Sequence, residues 1–488
     1  MHHCTSKNKE LVKRIAVYAL MALSVFVLVT TIVFFMMGFR IDTIDGKLEQ
    51  YALLQFNSVP TGAKVTVDGE SISSRTPTSS SVPAGEHKIT ISRDGYQTWS
   101  KTVDVKSGVL KWLKYAILVP NKLAVESVAN YDAVYASLAS SKGHYMLVEG
   151  NSSIPTFDLV DLSSDTVKMT KLTIATTLYS EAATPNITHT FQIKKWDDGG
   201  RYVLIKHIYG DKYEWLVLDT QIVDSTKNIT KLFDFAISDI DFFGTSGNLF
   251  YALGSNNIRK LDLSAGTISR TLVGNVTSFN IYNSSVITYN GTDGTVANLP
   301  VVGIYNDGDS RSYVLRTKTE VDGKVMHISA SRYFNENYIA ISDGQKIDIL
   351  RGAYPNNLTG DITSLALFNS FTLDNDISDL SFSPDGQYIL AKSGAYFASY
   401  DLEYKKLASS IIEGNDTTLS LKWLNKDYLW SDRDGSLTIR EFDGANIHIM
   451  NVVAAGQDVV ITNNGRYLYS VNKSATGYQL QRVRMILP

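Results

Sequence analysis

Twenty-five consecutive residues, Ile15 to Phe39, carry no charged side chain; beyond them apolar positions alternate with polar ones almost to the end of the chain. The first pattern predicts one membrane-spanning helix, because about 25 residues at ~1.5 Å each cover the ~30 Å hydrocarbon core. Ser24, Thr30 and Thr31 lie within it, and each hydroxyl can bond a carbonyl one turn back. Lys7, Lys9, Lys13 and Arg14 crowd the N-terminal flank, whereas Arg40 is followed by Asp42 and Asp45. The positive-inside rule then predicts a cytoplasmic stub at 1–14, a signal-anchor span at 15–39, a linker at 40–51 and everything later outside the cytoplasm. A cleaved signal peptide fits less well. Its apolar core is about 7–15 residues and ends at small residues, but this run ends in Phe34-Phe35-Met36-Met37.

The second pattern, period two, predicts strands. In residues 52–119 an apolar run at Leu53–Asn57 precedes Pro60-Thr61-Gly62-Ala63, where proline presets φ and glycine admits φ > 0. Val65 and Val67 alternate with Lys64 and Thr66 before the Asp68-Gly69 turn. A polar stretch, Ser71 to Ser81, leads to Pro83-Ala84-Gly85 and a second alternating strand with Ile89 and Ile91 inward. Asp94-Gly95 turns into Tyr96–Val105, where Trp99 is expected to cap the core.

This succession resembles the PEGA domain, a small β-sandwich of bacterial and archaeal surface proteins. The resemblance rests on Ser58-Val59-Pro60-Thr61-Gly62-Ala63, Val67-Asp68-Gly69, Thr76-Pro77, Pro83-Ala84-Gly85-Glu86-His87 and Gly95-Tyr96, in family order. Thr61 stands where the family motif has glutamate. The resemblance implies a spacer or interaction module without catalytic residues. Every distinctive residue is a turn former or a core residue, which leads to the same reading.

From 120 to 488 a looser unit repeats: a polar turn with glycine, an aromatic or aliphatic strand, a strand ending in Asp-Leu, and another strand. Trp196-Asp197-Asp198-Gly199-Gly200-Arg201-Tyr202, Phe382-Ser383-Pro384-Asp385-Gly386-Gln387-Tyr388 and Ile461-Thr462-Asn463-Asn464-Gly465-Arg466-Tyr467 are three instances. Related strands centre near residues 145, 203, 250, 288, 338, 388, 428 and 467, a spacing close to the ~40–50 residues of a four-stranded propeller blade. Ser383-Pro384-Asp385-Gly386 resembles blades of TolB-like propellers, and Ser431–Arg440 resembles the inner hairpin of a WD-type blade. The fold expected is therefore mainly β: an N-terminal transmembrane helix, a small PEGA-like β-sandwich, then a seven- or eight-bladed β-propeller. The C-terminal unit offers three strands, Asp458–Thr462, Tyr467–Asn472 and Tyr478–Ile486. Leu123–Val128 is predicted to supply the fourth, because an unpaired sheet edge invites aggregation.

Charge narrows the partners. Five basic residues against one acidic lie in 1–40, so the net −3 of the chain becomes −7 beyond it, which argues against nucleic acid. Cys4 is the only cysteine, so no intrachain disulfide forms. The histidines beyond the span, His87, His144, His189, His207, His327 and His448, are scattered with no zinc spacing. They are read as structural or surface groups, and His2-His3-Cys4 as a terminal cluster without a metal. Asp432–Glu441 has its glycine at position four rather than six of a calcium loop, so it reads as a hairpin. Asn306-Asp307-Gly308-Asp309 reads as a solvated loop. Nine Asn-x-Ser/Thr sequons, Asn186 and Asn472 among them, mark surface loops. No Gly-x-Ser-x-Gly elbow or phosphate loop occurs.

The expected function is a non-catalytic binding or scaffold protein of the cell envelope, in the plasma membrane, with no catalytic, cofactor or metal residues. Its propeller would recognise cell-wall glycan or a protein partner. The alternative is a propeller-based carbohydrate-active enzyme with paired carboxylates, for which Asp239 and Asp241 are the candidates.

Overall fold

The computed structural model describes residues 4–41, 48–181, 187–358, 364–412, 420–433 and 435–488. The chain divides into two compact units, Met1–Lys122 with Ile486–Pro488, and Leu123–Met485. His2 and His3 of the terminal cluster, the linker at 42–47, Asn186 and Asp434 lie outside the described residues.

The first unit begins with a helix over Cys4–Met36, whose stretch Leu11–Met36 is long and apolar enough to cross a membrane. Its three hydroxyls bond back as expected: Ser24 Oγ to Met21 O, and Thr30 and Thr31 Oγ1 to Phe26 O and Val27 O, each at 2.8 Å. The helix stops three residues before the predicted Phe39, because the chain turns at Gly38 (φ +83°) into a short hairpin, Phe39–Ile41 against Leu48–Gln50.

The sandwich that follows has two sheets. One orders Thr78–Val82, Ala52–Val59 and Leu110–Ile117, the last two parallel. The other orders Glu70–Arg75, Lys64–Val67, Gly85–Ser92 and Trp99–Val105. Leu54, Phe56, Val65, Ile89, Ile91 and Trp99 fill the space between them, each no more than 2% exposed. The polar stretch Ser71 to Ser81, to which no strand was assigned, falls in two strands, Glu70–Arg75 and Thr78–Val82. Leu487 packs on this core and its amide donates to Tyr96 Oη at 2.7 Å.

The second unit contains, among the described residues, eight four-stranded antiparallel sheets. We number them in chain order: sheet one spans 136–173, two 189–228, three 239–268, four 276–317, five 327–372, six 379–411 and seven 421–452. Sheet eight joins Val460–Ile461, Tyr467–Ser474 and Gly477–Arg484 to Val125–Tyr131, antiparallel on Gly477–Arg484. That is the predicted closure. The eight recurring strands are the second strands of the eight sheets, from Tyr145–Glu149 to Tyr467–Ser474. Ser431–Arg440 belongs to the hairpin between second and third strands of sheet seven rather than to its innermost pair.

A second strand has no solvent face, because each of its faces meets a different neighbour. Met146 and Val148 join the core shared with sheet eight, while Leu147 joins the core shared with sheet two. Leu204 faces sheet three and Val203 faces sheet one. Ile389 and Ala391 face sheet five, and Leu390 faces sheet seven. Between sheets seven and eight, Asn451 donates to Ser470 Oγ at 3.0 Å and Gln481 to Val452 O at 2.9 Å. Shared cores from sheet eight through sheet one to sheet seven, and these bonds between seven and eight, thus link every sheet to the next around a closed propeller. Gly386, at φ +80°, is required in the turn before the second strand of sheet six, since a Cβ there would come within 2.5 Å of Arg332 O.

Candidate functional site

In such a sheet the end of the second strand, the start of the third and the connection to the next sheet lie at one edge. On that edge of sheets four and five is a cleft of about 570 Å³. Segment 318–324, following Tyr313–Thr317, forms one wall, with the hairpin at 343–346 and Thr372 and Asp376 opposite. Its lining carries three lysines (Lys318, Lys324, Lys346) and four acids (Glu320, Asp322, Asp343, Asp376), with no aromatic ring. Lys318 is buried and sits between Asp322 (2.6 Å) and Asp343 (3.2 Å). Burial alone would lower its pKa, but the two carboxylates outweigh that and the net shift is upward. Lys324 pairs with Asp376 at 3.0 Å. Lys346 pairs with Asp348, which also takes Arg316 and Ser370. The cleft is therefore lined by opposite charges anchored on buried Lys318, with exposed Glu320 beside them.

On the same edge of sheet two lies a chain of side chains running inward. His189 Nδ1 meets His207 Nε2 at 2.8 Å, and His207 Nδ1 donates to Glu214 Oε1 at 2.9 Å. Glu214 also accepts from the Ser180 amide and hydroxyl, both at 2.7 Å. Burial raises the Glu214 pKa, but the bonds from His207, Asn228 and Ser180 exceed it and hold the carboxyl at about 2. Phe191 stacks on His207 at 4.3 Å and Tyr179 closes edge-on at 5.1 Å. Both histidines were expected as structural or surface groups. His207 is indeed wholly buried, yet the coupling of the two was not foreseen. They are 18 residues apart, and only the register from the turn at 197–201, which sets Phe191 opposite His207, could have paired them.

Glu149, at the end of the second strand of sheet one, is 1% exposed, and its Oε1 has no hydrogen-bond partner. Burial pushes its pKa up to about 7, against the Ile193 amide and the Lys194 charge.

The paired carboxylates of the enzymatic alternative are unequal. Both lie on the first strand of sheet three, but Asp239 is exposed, whereas Asp241 is buried and ion-paired with Lys195. Burial raises the Asp241 pKa despite that lysine. Asn306–Asp309 is not a solvated loop: Asp307 takes Lys260 at 2.9 Å and the Tyr251 hydroxyl, and Asp309 is buried. The lysine also lies 3.7 Å from the Phe243 ring centre. Of the remaining histidines, His87 bonds Asp68 and Pro83 O, His144 bonds Asn463, His327 bonds Ile377 O, and buried His448 opens the fourth strand of sheet seven. Among the described residues no three His, Cys, Asp or Glu side chains gather as a metal site.

No curated protein matches the sequence. Similar solved structures include the β-propeller domain of Myceliophteria thermophila Cps50 (Swd1), at 13% identity and TM-score 0.39, covering 74% of this chain and 99% of that one. An oligogalacturonate lyase in complex with manganese shares 10% identity at TM-score 0.41, covering 75% and 98%. A chain of a mitotic checkpoint complex shares 14% at TM-score 0.35, covering 75% and 91%. Residues 52–117 match the family model of the PEGA domain, which identifies the first sandwich as a PEGA domain.

Proposed function

We propose that this chain is a membrane-anchored binding or scaffold protein, and that the edge of the propeller carrying the charged cleft is its recognition surface. Lys7, Lys9, Lys13 and Arg14 before the apolar helix support an orientation with the PEGA domain and propeller outside the cytoplasm. The observation that carries the reading is the cleft itself, with lysines and carboxylates interleaved along its lining. Sugars are gripped by stacking on aromatic rings, and the lining has none. Alternating fixed charges instead suit a protein segment bearing both signs, and favour an envelope protein over cell-wall glycan as the partner. The same geometry favours binding over catalysis, because Asp322, Asp343 and Asp376 are engaged by lysines of the cleft and Asp241 by Lys195.

The test uses the full chain carrying a photo-crosslinker at Thr319, an exposed residue of the cleft lining, in intact cells, with purified cell-wall sacculi mixed separately with the protein in nanodiscs. A discrete protein adduct that vanishes in Lys346→Glu supports the reading. Sedimentation with sacculi and no protein adduct overturns it in favour of a glycan ligand.

A further inference from the structure

The two outer faces of the PEGA sandwich differ in character. On the four-stranded sheet the outward positions are Lys64, Thr66, Glu86, Lys88, Thr90 and Asp104. On the three-stranded sheet the outward side carries Leu53, Leu110 and Trp112, exposed by 38%, 41% and 40%. Scattered exposed apolar residues are ordinary. These three are not scattered, since Leu53 lies beside Leu110 in register, and Trp112 beside Gln55 in the next row outward.

The face starts where the helix ends. Tyr51 N donates to Gly38 O and Gln50 to Met37 O, both at 2.9 Å. Leu53 N bonds Val109 O at 2.9 Å, and Gly108 N bonds Tyr51 O. Arg40, the first charged residue after the span, donates to Ser81 Oγ at 3.0 Å. Ser81 is the register partner of Leu53, so the chain leaves the helix along the outer side of this sheet.

We propose that this face lies on the membrane interface next to the helix, so that the PEGA domain reclines on the bilayer rather than standing off it. The proposal rests on the helix being a membrane anchor. The chemistry is that of an interfacial surface: a tryptophan whose indole suits the headgroup level, with a long cation beside it on the same face. That cation is Lys114, whose ammonium lies 5.6 Å from the Trp112 ring centre. Geometry sets the tilt. The headgroup layer is only about 5–8 Å deep per side, and two residues of strand advance about 7 Å. An upright sheet would wet only the Leu53–Leu110 row, whereas a reclining one reaches Trp112 as well. Tethering by the helix makes the contact intramolecular, so a modest apolar area suffices.

The test is Trp112 fluorescence in the full-length protein, reconstituted in phosphatidylcholine vesicles with and without acyl-brominated phosphatidylcholine. Subtracting the Trp112→Phe protein isolates the Trp112 signal, and the buried Trp99 stays in both as a reference. Brominated lipid is expected to remove most of the Trp112 emission, and Leu110→Glu to restore it at unchanged melting temperature. Equal emission in both vesicles overturns the proposal, including the case in which a protein partner or second copy covers the face. Density-gradient flotation of the same samples separates the two ideas. Protein that floats without quenching leaves the anchor standing and removes the reclining face, while protein that does not float removes the anchor.

Discussion

The two edges of the propeller use polar side chains in opposite ways. At one edge, where first strands turn into second and third into fourth, hydroxyls and carboxylates hold the backbone of their own turn. Ser140, Ser383 and Thr462 accept from the amides of Tyr145, Tyr388 and Tyr467, five residues on. Asp197 accepts from Gly199, Arg201 and Tyr202. Asp161, Asp219, Asp262 and Asp401 each accept from the amide two residues on. At the other edge lie His189, His207, Glu214, Glu149 and the charged cleft, and there His207, Glu214 and Lys318 meet side chains from other strands or another sheet. The first edge holds its turns chiefly by local bonds, with cross-strand pairs such as Arg201–Asp219 and His144–Asn463 added at its surface; the second keeps buried ionisable groups in non-local contact. Polar groups fixed within a turn are there to fold the chain, whereas groups gathered across strands are available for recognition.

The comparison breaks if Asp197→Ala is mild. Three turn amides would lose the buried carboxylate that accepts from them, and about 3 kcal/mol of stability is the expected loss, read by calorimetric melting. At the opposite edge Glu214→Gln should cost about 2 kcal/mol at neutral pH. The Glu214 pKa lies at about 2 when folded, below its ordinary 4.5, so its stabilisation is complete above pH 4.5 and lost as pH falls through 2. A deficit that persists unchanged at pH 2 would refute the charge-based account. Glu149 has the reverse sign. Its folded pKa of about 7 exceeds the ordinary 4.5, so the wild type loses stability as pH rises from 4.5 to 7. Glu149→Gln should therefore stabilise the protein by about 1–2 kcal/mol at pH 8 and by little at pH 4. The smallest effect belongs to the cleft: Glu320→Lys should leave melting within about 0.5 kcal/mol of wild type while abolishing partner crosslinking.

The same contrast explains what was legible in the sequence. Turn chemistry repeats locally, so the second strands around 203, 388 and 467 could be placed from the glycine-bearing turns before them. The closing strand followed from a C-terminal unit one strand short. Two sandwich strands were missed because Glu70–Arg75 and Thr78–Val82 carry mostly serine and threonine and bury only Val82. Strand Leu110–Ile117 was missed because Lys-Trp-Leu-Lys interleaves charge with exposed apolar groups. The cleft gathers residues from 318 to 376, and no local pattern announces that Lys318 meets both Asp322 and Asp343. Asp307 was misread for the same reason, since its lysine lies 47 positions earlier.

The strand that closes sheet eight also sets a timetable. Val125–Tyr131 is synthesised before any other part of the propeller, yet its partner, Gly477–Arg484, is made more than 300 residues later. Throughout that interval the early strand presents an open hydrogen-bonding edge. The last join pairs Val125 with Val483, a contact of very long sequence separation, which is intrinsically slow to form. Emergence of this chain should therefore be its most aggregation-prone moment, and a nascent chain halted before residue 477 should be far more protease-sensitive across the whole propeller than one halted after residue 485.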